Sequence, residues 1–166
     1  AYSDFDLNEL ARRVLISRMT QIEEKELEIQ VQMDEAGCFV HADADQIQQV
    51  IINLLDNAVK FTPQGGVITL STGWGTENAY LRVKDNGVGI LPQDAPHLFD
   101  RFFKADKAHT VGQGTGLGLA ICKRIMEKHG QQIRLVSGEK GAEFEITLEK
   151  GTPHAANHAN PGPGED

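Results

Sequence analysis

The order of helix-like and strand-like segments is the feature of this sequence that most restricts its fold. Apolar residues recur at helical spacing in three segments, which are 7–24, 45–61 and 116–130. Two segments with the alternation of half-buried strands follow each helix: 27–33 and 38–42, 67–73 and 79–85, and 132–137 and 142–150. We expect the strands of each pair to lie side by side. Helices that alternate with strand pairs predict one sheet covered on a single face, an α/β two-layer sandwich.

Two acidic residues mark the expected starts of the first two helices. Asp6 is followed three positions later by Glu9, which is a capping-box pattern, and Asp43 stands in the same relation to Gln46. The turn residues of TPQGG, 62–66, end the second helix. We therefore expect these helices to begin directly after Asp6 and Asp43.

Composition limits the classes of function. The 166 residues fit one domain, and 16 Lys and Arg against 24 Asp and Glu give a formal charge of −8, which disfavours a nucleic-acid partner. Cys38 and Cys122 show no metal-ligand spacing, so a reducing cytoplasmic setting is expected. No apolar run reaches the ~18 residues of a membrane span, although a longer parent protein could still be anchored in a membrane.

Two stretches lack the periodicity of helices and strands. Residues 90–115 contain a short helical turn in PHLF and are expected to form a lid over about 95–115. Residues 151–166 are rich in Gly, Pro, Ala and Asn and have no apolar face, so a disordered tail is expected there.

The second helix carries a polar stripe of Asn53, Asn57 and Lys60, which share one face at positions i, i+4 and i+7. A solvated face is one interpretation, but asparagine is a poor helix former. The alternative is a Mg²⁺–phosphate site with neutral amide oxygens as ligands and a lysine on a phosphate. The opposite face is apolar and should pack in the core, through Ile47, Val50, Ile51, Leu54 and Ala58.

Asp85 ends a predicted strand and begins the sequence DNGVGI, in which Gly87 and Gly89 follow. A hairpin turn is one interpretation of this sequence. A carboxylate at the floor of a cleft could instead accept a hydrogen bond from the exocyclic amine of adenine, a donor that guanine lacks at that position. The glycines would then let the base lie against the backbone.

Two further motifs suit a phosphate-binding lid. Three phenylalanines alternate with basic residues in LFDRFFKADK, 98–107, a pattern that could indicate nucleic-acid binding but fits a hinged lid better at this net charge. GTGLGL, 114–119, runs into the third helix and would present backbone amides to an anion at the helix start. Its glycine spacing matches neither the dinucleotide fingerprint nor a Walker loop.

NLLDNAVKFTP, DNGVGI, LFDRFFKAD and GTGLGLAI, in this order, resemble the N, G1, F and G2 boxes of the ATP-binding catalytic domain of sensor histidine kinases. The wider family includes gyrase, the Hsp90 chaperone and MutL. The resemblance covers residues from about 4 to 149. It implies a Bergerat-type sandwich, with a mixed sheet, about three helices on one face and a mobile ATP lid.

The resemblance implies a role for each matching residue. Asn53 and Asn57 correspond to the magnesium-binding amides, Lys60 to a phosphate-binding lysine, and Lys104 lies where the family often has a phosphate-facing Arg. Asn53, Lys60 and Lys104 are therefore the candidate catalytic residues. The implied ATP or ADP contacts, in addition to Asn57, are Phe61, Asp85, Gly87, Gly89, Ile90, Phe102, Gly112, Gly114, Thr115, Gly116, Leu117, Gly118 and Leu119.

Two departures from the family pattern are relevant to function. Ala142 stands where the family often has a hydroxyl residue that helps to hold the base. The phosphoacceptor is also missing, because only His158 has a proline at the family's offset, and its sequence HANPGP cannot form the required helix. We therefore expect 1–6 to be a linker from a missing dimerisation domain, 7–150 the catalytic domain and 151–166 the tail.

The expected function is transfer of the γ-phosphate of Mg²⁺–ATP to a histidine on that separate domain, with a response regulator downstream. This fragment would be a cytoplasmic monomer and its full-length parent a homodimer. A nucleotide-binding regulatory module without kinase activity and an anti-sigma-type serine kinase are alternatives. An ATP-hydrolysing clamp is a further alternative, but such relatives carry a water-activating Glu at the position of Asn53, and an amide cannot act as that base.

Overall fold

The computed structural model describes residues 1–103 and 117–153. Within them the α-helices are α1 (Leu7–Ser17), α2 (Met19–Glu24), α3 (Ala44–Phe61) and α4 (Gly118–Lys128). The strands are β1 (Ser3–Asp6), β2 (Glu28–Gln32), β3 (Phe39–Ala42), β4 (Val67–Trp74), β5 (Ala79–Asp85), β6 (Ile133–Ser137) and β7 (Glu143–Lys150). A short 3₁₀ helix covers Ala95–His97.

The strands form one mixed sheet in the order β1-β3-β7-β5-β4-β2, and β6 also pairs with β7. β2 and β4 are parallel, whereas the other pairs are antiparallel. The predicted pairs β4–β5 and β6–β7 are confirmed. The prediction that β2 and β3 pair is wrong, because β3 lies between β1 and β7, at a distance from β2.

Residues 3–6, assigned from sequence to a linker, form the edge strand β1. Asp4 lies opposite His41 in the β1–β3 register, and its Oδ1 is 2.6 Å from His41 Nδ1. The other carboxylate oxygen of Asp4 accepts a hydrogen bond of 2.9 Å from the Thr152 hydroxyl. The sequence SDFD has one apolar residue and no clear alternation, so this strand depends on its non-local partner.

The helix predicted over 7–24 is interrupted at Arg18, so the described part of the chain has four α-helices where about three were expected. The Ser17 hydroxyl donates to Val14 O at 2.6 Å, and a side-chain bond of this kind competes with the helical backbone pattern. Arg18 has φ −106° and ψ 5°, and its Nε donates to Asp56 on α3 at 2.7 Å. The break therefore places Arg18 where it can join the α1–α2 segment to α3.

The helices bury their apolar faces against one side of the sheet, as predicted. Asp43 caps α3 by accepting the Gln46 amide at 3.3 Å, and α3 contacts both α1 and α4. The core positions predicted on α3 are 0–3% exposed: Ile47, Val50, Ile51, Leu54 and Ala58. Strand residues Phe144, Ile146 and Leu148 are also buried. These observations confirm the two-layer sandwich.

Three charged residues on neighbouring strands lie on the opposite side of the sheet from this core. Glu145 on β7 accepts hydrogen bonds from Arg82 on β5 at 2.8 Å and from Arg134 on β6 at 2.9 Å. Alternation along β7 places Glu145 opposite to Phe144 and Ile146. The second face of the sheet is therefore polar where β5, β7 and β6 meet.

Both cysteines are buried free thiols. Burial raises the pKa of Cys38 to about 11 and that of Cys122 to about 12, so both remain protonated at neutral pH. Along the part of the chain that the structure describes, none of the helices combines the length and apolar character needed to cross a membrane.

We predict that Glu26→Gly stabilises the domain. Glu26 has φ 55° and follows the C-cap of α2. The Glu26 amide donates to Glu23 O and the Leu27 amide donates to Ile22 O, both at 3.0 Å. This is a Schellman motif, in which glycine is the usual left-handed residue. Relief of the left-handed strain should add about 1 kcal/mol to the free energy of unfolding.

Denaturant titration measures this effect, and Glu28→Gly in β2 is the matched control that should destabilise the domain. The substitution also removes the 2.8 Å hydrogen bond from Gln64 Nε2 to the Glu26 carboxylate. This bond is exposed, so it contributes less to the free energy of unfolding than the relief of strain does. A lower midpoint for Glu26→Gly than for the parent would contradict the prediction.

Candidate nucleotide-binding site

The polar stripe of α3 lies away from the core, and Asn53, Asn57 and Lys60 are all half-buried. Asn53 Oδ1 accepts a hydrogen bond of 3.0 Å from Gln49 Nε2, and Asn53 Nδ2 donates to Gly118 O at 3.2 Å. Gly118 is the first residue of α4. The stripe predicted from sequence therefore meets the start of the glycine-rich helix.

The end of α3 contacts the turn that follows β5. The Phe61 carbonyl accepts a hydrogen bond of 3.4 Å from Val88 N. A Cβ atom placed on Gly87 would lie 2.2 Å from Phe61 O, so only glycine fits against the helix end. Close packing of two backbones is therefore one reason for glycine at this position, whether or not a base lies nearby.

Gly89 and Ile90 are held by the loop between β6 and β7. Gly89 has φ +76°, and a Cβ atom there would lie 2.7 Å from Gly138 O. The Ile90 amide donates to the same carbonyl at 2.8 Å. The DNGVGI sequence is thus fixed on one side by α3 and on the other by the β6–β7 loop.

Asp85 is the buried carboxylate of the site, with 7% of its surface exposed. Its Oδ1 accepts the Gly87 amide at 2.8 Å and the Ala142 amide at 3.3 Å. Within residues 1–103 and 117–153, no group donates a hydrogen bond to Oδ2. Burial raises the pKa of Asp85, and the two amides oppose that rise in part. One carboxylate oxygen of Asp85 thus holds the turn through two backbone amides.

Sequence reasoning missed the contribution of the β6–β7 loop to Asp85. Gly141 has φ +95°, and a Cβ atom there would lie 2.0 Å from Asp85 O. The Asp85 amide also donates to Ala142 O at 2.9 Å. The glycine before Ala142 in a predicted hairpin was the available signal. Ala142 supports the site through its backbone, which does not depend on the missing hydroxyl.

The stability of the nucleotide-free domain should depend on the charge of Asp85. Because its pKa is raised in the folded state, the folded protein binds this proton more tightly than the unfolded chain, and the ionised group destabilises the fold. We predict that Asp85→Asn has the larger free energy of unfolding at pH 7. The advantage should shrink as pH falls through the raised pKa towards 3.8, which urea titrations at several pH values would measure. A pH-independent difference would contradict this.

The start of α4 has no side-chain cap, since Leu117 precedes Gly118 without such a hydrogen bond. The amides of a first helical turn have no partners within the helix, and the positive end of the helix dipole favours an anion there. A Cβ atom on Gly118 would have no described atom within 4 Å, so packing alone does not require glycine here. Leu119 packs against the core.

The aromatic residues of LFDRFFKAD differ in their environments. Phe99 packs edge-on against Phe144 with ring centroids 6.0 Å apart, and Phe103 lies 5.7 Å from the His97 ring. Phe102 is 63% exposed and has φ 65°. Two of these rings therefore anchor the segment, and Phe102, a predicted nucleotide contact, points away from the core.

Several predicted residues lie outside the described part of the chain. These are Lys104, Gly112, Gly114, Thr115 and Gly116, together with most of the predicted lid and most of the predicted tail. The site described above consists of the polar face of α3, the turn after Asp85 and the start of α4.

Comparison with known proteins identifies the family. Residues 42–152 match the family described as histidine kinase-, DNA gyrase B-, and HSP90-like ATPase, and the chain belongs to it. The chain is 39% identical over 140 residues to sensor histidine kinase WalK of Bacillus subtilis (strain 168), which covers 81% of this chain and 23% of WalK. It is 46% identical over 110 residues to sensor protein SrrB of Staphylococcus aureus (strain NCTC 8325 / PS 47), over 65% of this chain and 19% of SrrB.

Solved structures agree with this assignment. The nucleotide-free catalytic domain of histidine kinase ThkA has a TM-score of 0.80 at 30% identity and covers 90% of this chain and 98% of its own. ThkA in complex with response regulator protein TrrA gives 0.77 at 29% identity, over 92% of this chain and 42% of that one. The resemblance inferred from the four motifs is confirmed: this is an ATP-binding catalytic domain of the sensor histidine kinase type. It spans about a fifth of the length of the two sensor proteins.

Proposed function

We propose that this domain binds Mg²⁺–ATP and donates the γ-phosphate to a histidine on a separate dimerisation domain. The observation that carries the proposal is the convergence of three motifs on α3. Asn53 contacts the first residue of α4, and Phe61 contacts the turn that holds Asp85. One helix therefore links a buried carboxylate suited to adenine with a helix start suited to phosphate.

Asp85 is proposed to select adenine through Oδ2, which would accept the exocyclic amine. Phe61, Gly87, Gly89 and Ile90 would form the wall and floor around the base. Phe102, Leu117, Gly118 and Leu119, with the residues of the lid at Gly112, Gly114, Thr115 and Gly116, would lie on the phosphate side. The net charge of −8 disfavours a nucleic acid, and an adenine contact beside a phosphate contact suits a nucleoside triphosphate.

The residues present fit a magnesium ion. Asn53 and Asn57 offer neutral amide oxygens, and the described residues contain no group of three or more His, Cys, Asp or Glu side chains that could hold a metal ion. A donor set of this kind suits an ion whose remaining ligands are phosphate oxygens and water. When bound, Mg²⁺ would neutralise phosphate charge, and Lys60 and Lys104 would add positive charge on the same groups.

The reaction needs little covalent chemistry from this chain. The acceptor histidine nitrogen would bond to the γ-phosphorus as the bond to the bridging oxygen breaks and ADP leaves. The domain would orient ATP and offset the charge that develops, which are the main protein contributions to phosphoryl transfer. Asn53 cannot activate water, so transfer to histidine is favoured over hydrolysis.

The remaining proposals concern the whole protein. Residues 1 and 2 would link the catalytic domain to a dimerisation domain that carries the acceptor histidine. The catalytic domain, predicted over 7–150, would extend from β1 at Ser3 to Thr152, and the remaining residues up to 166 would be a tail. The full-length protein would be a homodimer that passes its phosphate to a response regulator. This domain would lie in the cytoplasm, whether or not the full-length protein has a membrane anchor. The isolated domain would be a monomer.

Transfer between separate domains tests the proposal. The chain is mixed with a purified histidine-bearing dimerisation domain and γ-labelled ATP with Mg²⁺, and label on the acceptor is followed over time. We expect acid-labile label on the acceptor histidine. A histidine-to-alanine acceptor is the matched control.

Two other results would overturn the proposal in different ways. Mg²⁺–ATP binding without transfer would favour a regulatory nucleotide-binding module. Rapid release of inorganic phosphate that is lost in Asn53→Ala, while nucleotide still binds, would favour a clamp-type ATPase.

A further inference from the structure

The last turn of α3 leaves four backbone carbonyls that no residue within the helix can satisfy. Two of these four carbonyls accept hydrogen bonds from residues outside the helix. Ala58 O accepts the Thr62 amide at 3.0 Å and the Thr62 hydroxyl at 2.6 Å. Phe61 O accepts the amide of Val88 in the turn after Asp85.

One side chain satisfies both remaining carbonyls. Lys25 Nζ donates to Val59 O at 2.5 Å and to Lys60 O at 3.1 Å. Its backbone is held as well, because the Gly65 amide beyond α3 donates to Lys25 O at 3.0 Å. The ammonium group also lies at the negative end of the α3 dipole, where a positive charge is favourable. Burial lowers the pKa of Lys25, which agrees with a desolvated contact.

This contact joins a residue at the end of α2 to the last turn of α3, which is part of the nucleotide site. The carbonyls that Lys25 binds belong to the turn from which Lys60 and Phe61 project. Phe61 then fixes Val88 and Gly87, and the Gly87 amide holds Asp85 Oδ1. A change in the last helical turn would therefore alter the relation between the polar stripe and Asp85.

We propose that Lys25 is a positioning residue, which sets the last turn of α3 and thereby the geometry between the phosphate-binding stripe and the adenine-binding Asp85. The inference rests on the proposed function. Nothing in this role requires Lys25 to touch ATP, since its ammonium group is bound to the helix carbonyls. Its effect reaches the ligand through Phe61 and the turn at Gly87.

Three variants separate this role from simple stabilisation. Lys25→Met keeps most of the aliphatic stem and removes the donor, whereas Lys25→Arg keeps a donor that can bind two carbonyls. Lys128→Met removes an exposed lysine and is the matched charge control.

Mg²⁺–ATP affinity is measured by calorimetry at a temperature where circular dichroism shows every variant to be folded. Hydrogen exchange of the Gly87 and Val88 amides is measured by NMR without nucleotide.

We expect Lys25→Met to weaken ATP affinity about tenfold, a loss typical of one well-formed polar contact. Exchange at Gly87 and Val88 should accelerate in Lys25→Met beyond the change in core amides. Lys25→Arg should restore most of both properties, and Lys128→Met should match the parent.

Two outcomes would overturn the role of Lys25. One is parental ATP affinity in the folded Lys25→Met variant, and the other is acceleration at Gly87 and Val88 no greater than in the core. If the parent chain itself fails to bind ATP, the proposed function fails instead. The amide exchange then decides separately whether Lys25 holds the turn.

Discussion

Asp85→Asn is expected to weaken ATP binding by about 100-fold while the domain remains folded. Asparagine can keep the acceptor that binds the Gly87 and Ala142 amides. Its amide nitrogen would then replace Oδ2 and oppose the exocyclic amine of adenine, so two donors would face each other. Loss of a buried charged hydrogen bond costs up to about 3 kcal/mol, which corresponds to roughly two orders of magnitude in affinity.

Calorimetric titration with ATP and with GTP measures this effect. The parent should prefer ATP strongly, and Asp85→Asn should lose most of that preference, because an amide can donate to the oxygen of guanine. Asp94→Asn is the matched control, since Asp94 is 5% exposed, close to the 7% of Asp85. Equal ATP affinity in parent and Asp85→Asn would refute the adenine assignment.

Asn57→Ala is expected to slow phosphotransfer to the acceptor histidine by about 100-fold, which is the typical effect of removing one contact that stabilises charge in a transition state. The substitution removes a proposed Mg²⁺ ligand from a half-buried helical position, and alanine preserves the helix. Nucleotide binding measured without Mg²⁺ should change little, because Asp85 and the adenine floor are intact.

Initial rates of acceptor labelling at several Mg²⁺ concentrations provide the measurement. Asp56→Asn is the adjacent control, because Asp56 is exposed and its described partner is Arg18, which lies between α1 and α2 and is not part of the polar stripe. A rate for Asn57→Ala equal to the parent's at low Mg²⁺ would exclude Asn57 as a ligand.

Local patterns predicted the parts of the fold that depend on local interactions. Helical spacing and the Asp43 cap predicted α3, and the hairpins β4–β5 and β6–β7 connect neighbouring segments. β1 and the partner of β3 escaped prediction because their pairing is between distant segments. The break at Arg18 escaped prediction because the contacts found there, Ser17 with Val14 O and Arg18 with Asp56 on α3, leave no periodic pattern in the sequence.

The residues of the nucleotide site also divide into those that local patterns predict and those that depend on distant segments. The stripe on α3 and Asp85 could be found from sequence because one helix and one strand end place them. The role of Lys25 could not be found in this way, because its partners, Val59 O and Lys60 O, are carbonyls far away in the chain. The glycine at 141 indicated a turn, but not its close approach to Asp85 O. Residue type alone gives little signal for a contact of this kind.

The edge strand β1 has a mechanical consequence. Asp4 on β1 is tied to His41 on β3 and to Thr152 just beyond β7, so both boundaries of the folded unit meet at one edge of the sheet. The Gly151 amide adds a bond of 2.8 Å to Phe39 O. A pull applied ahead of residue 3 would load these bonds and also the start of α3, because the Ala1 ammonium group lies 3.1 Å from Oδ2 of Asp43, the N-cap of that helix. Segments attached at the two boundaries would therefore leave the domain side by side, next to the N-terminal end of the helix that carries Asn53 and Asn57.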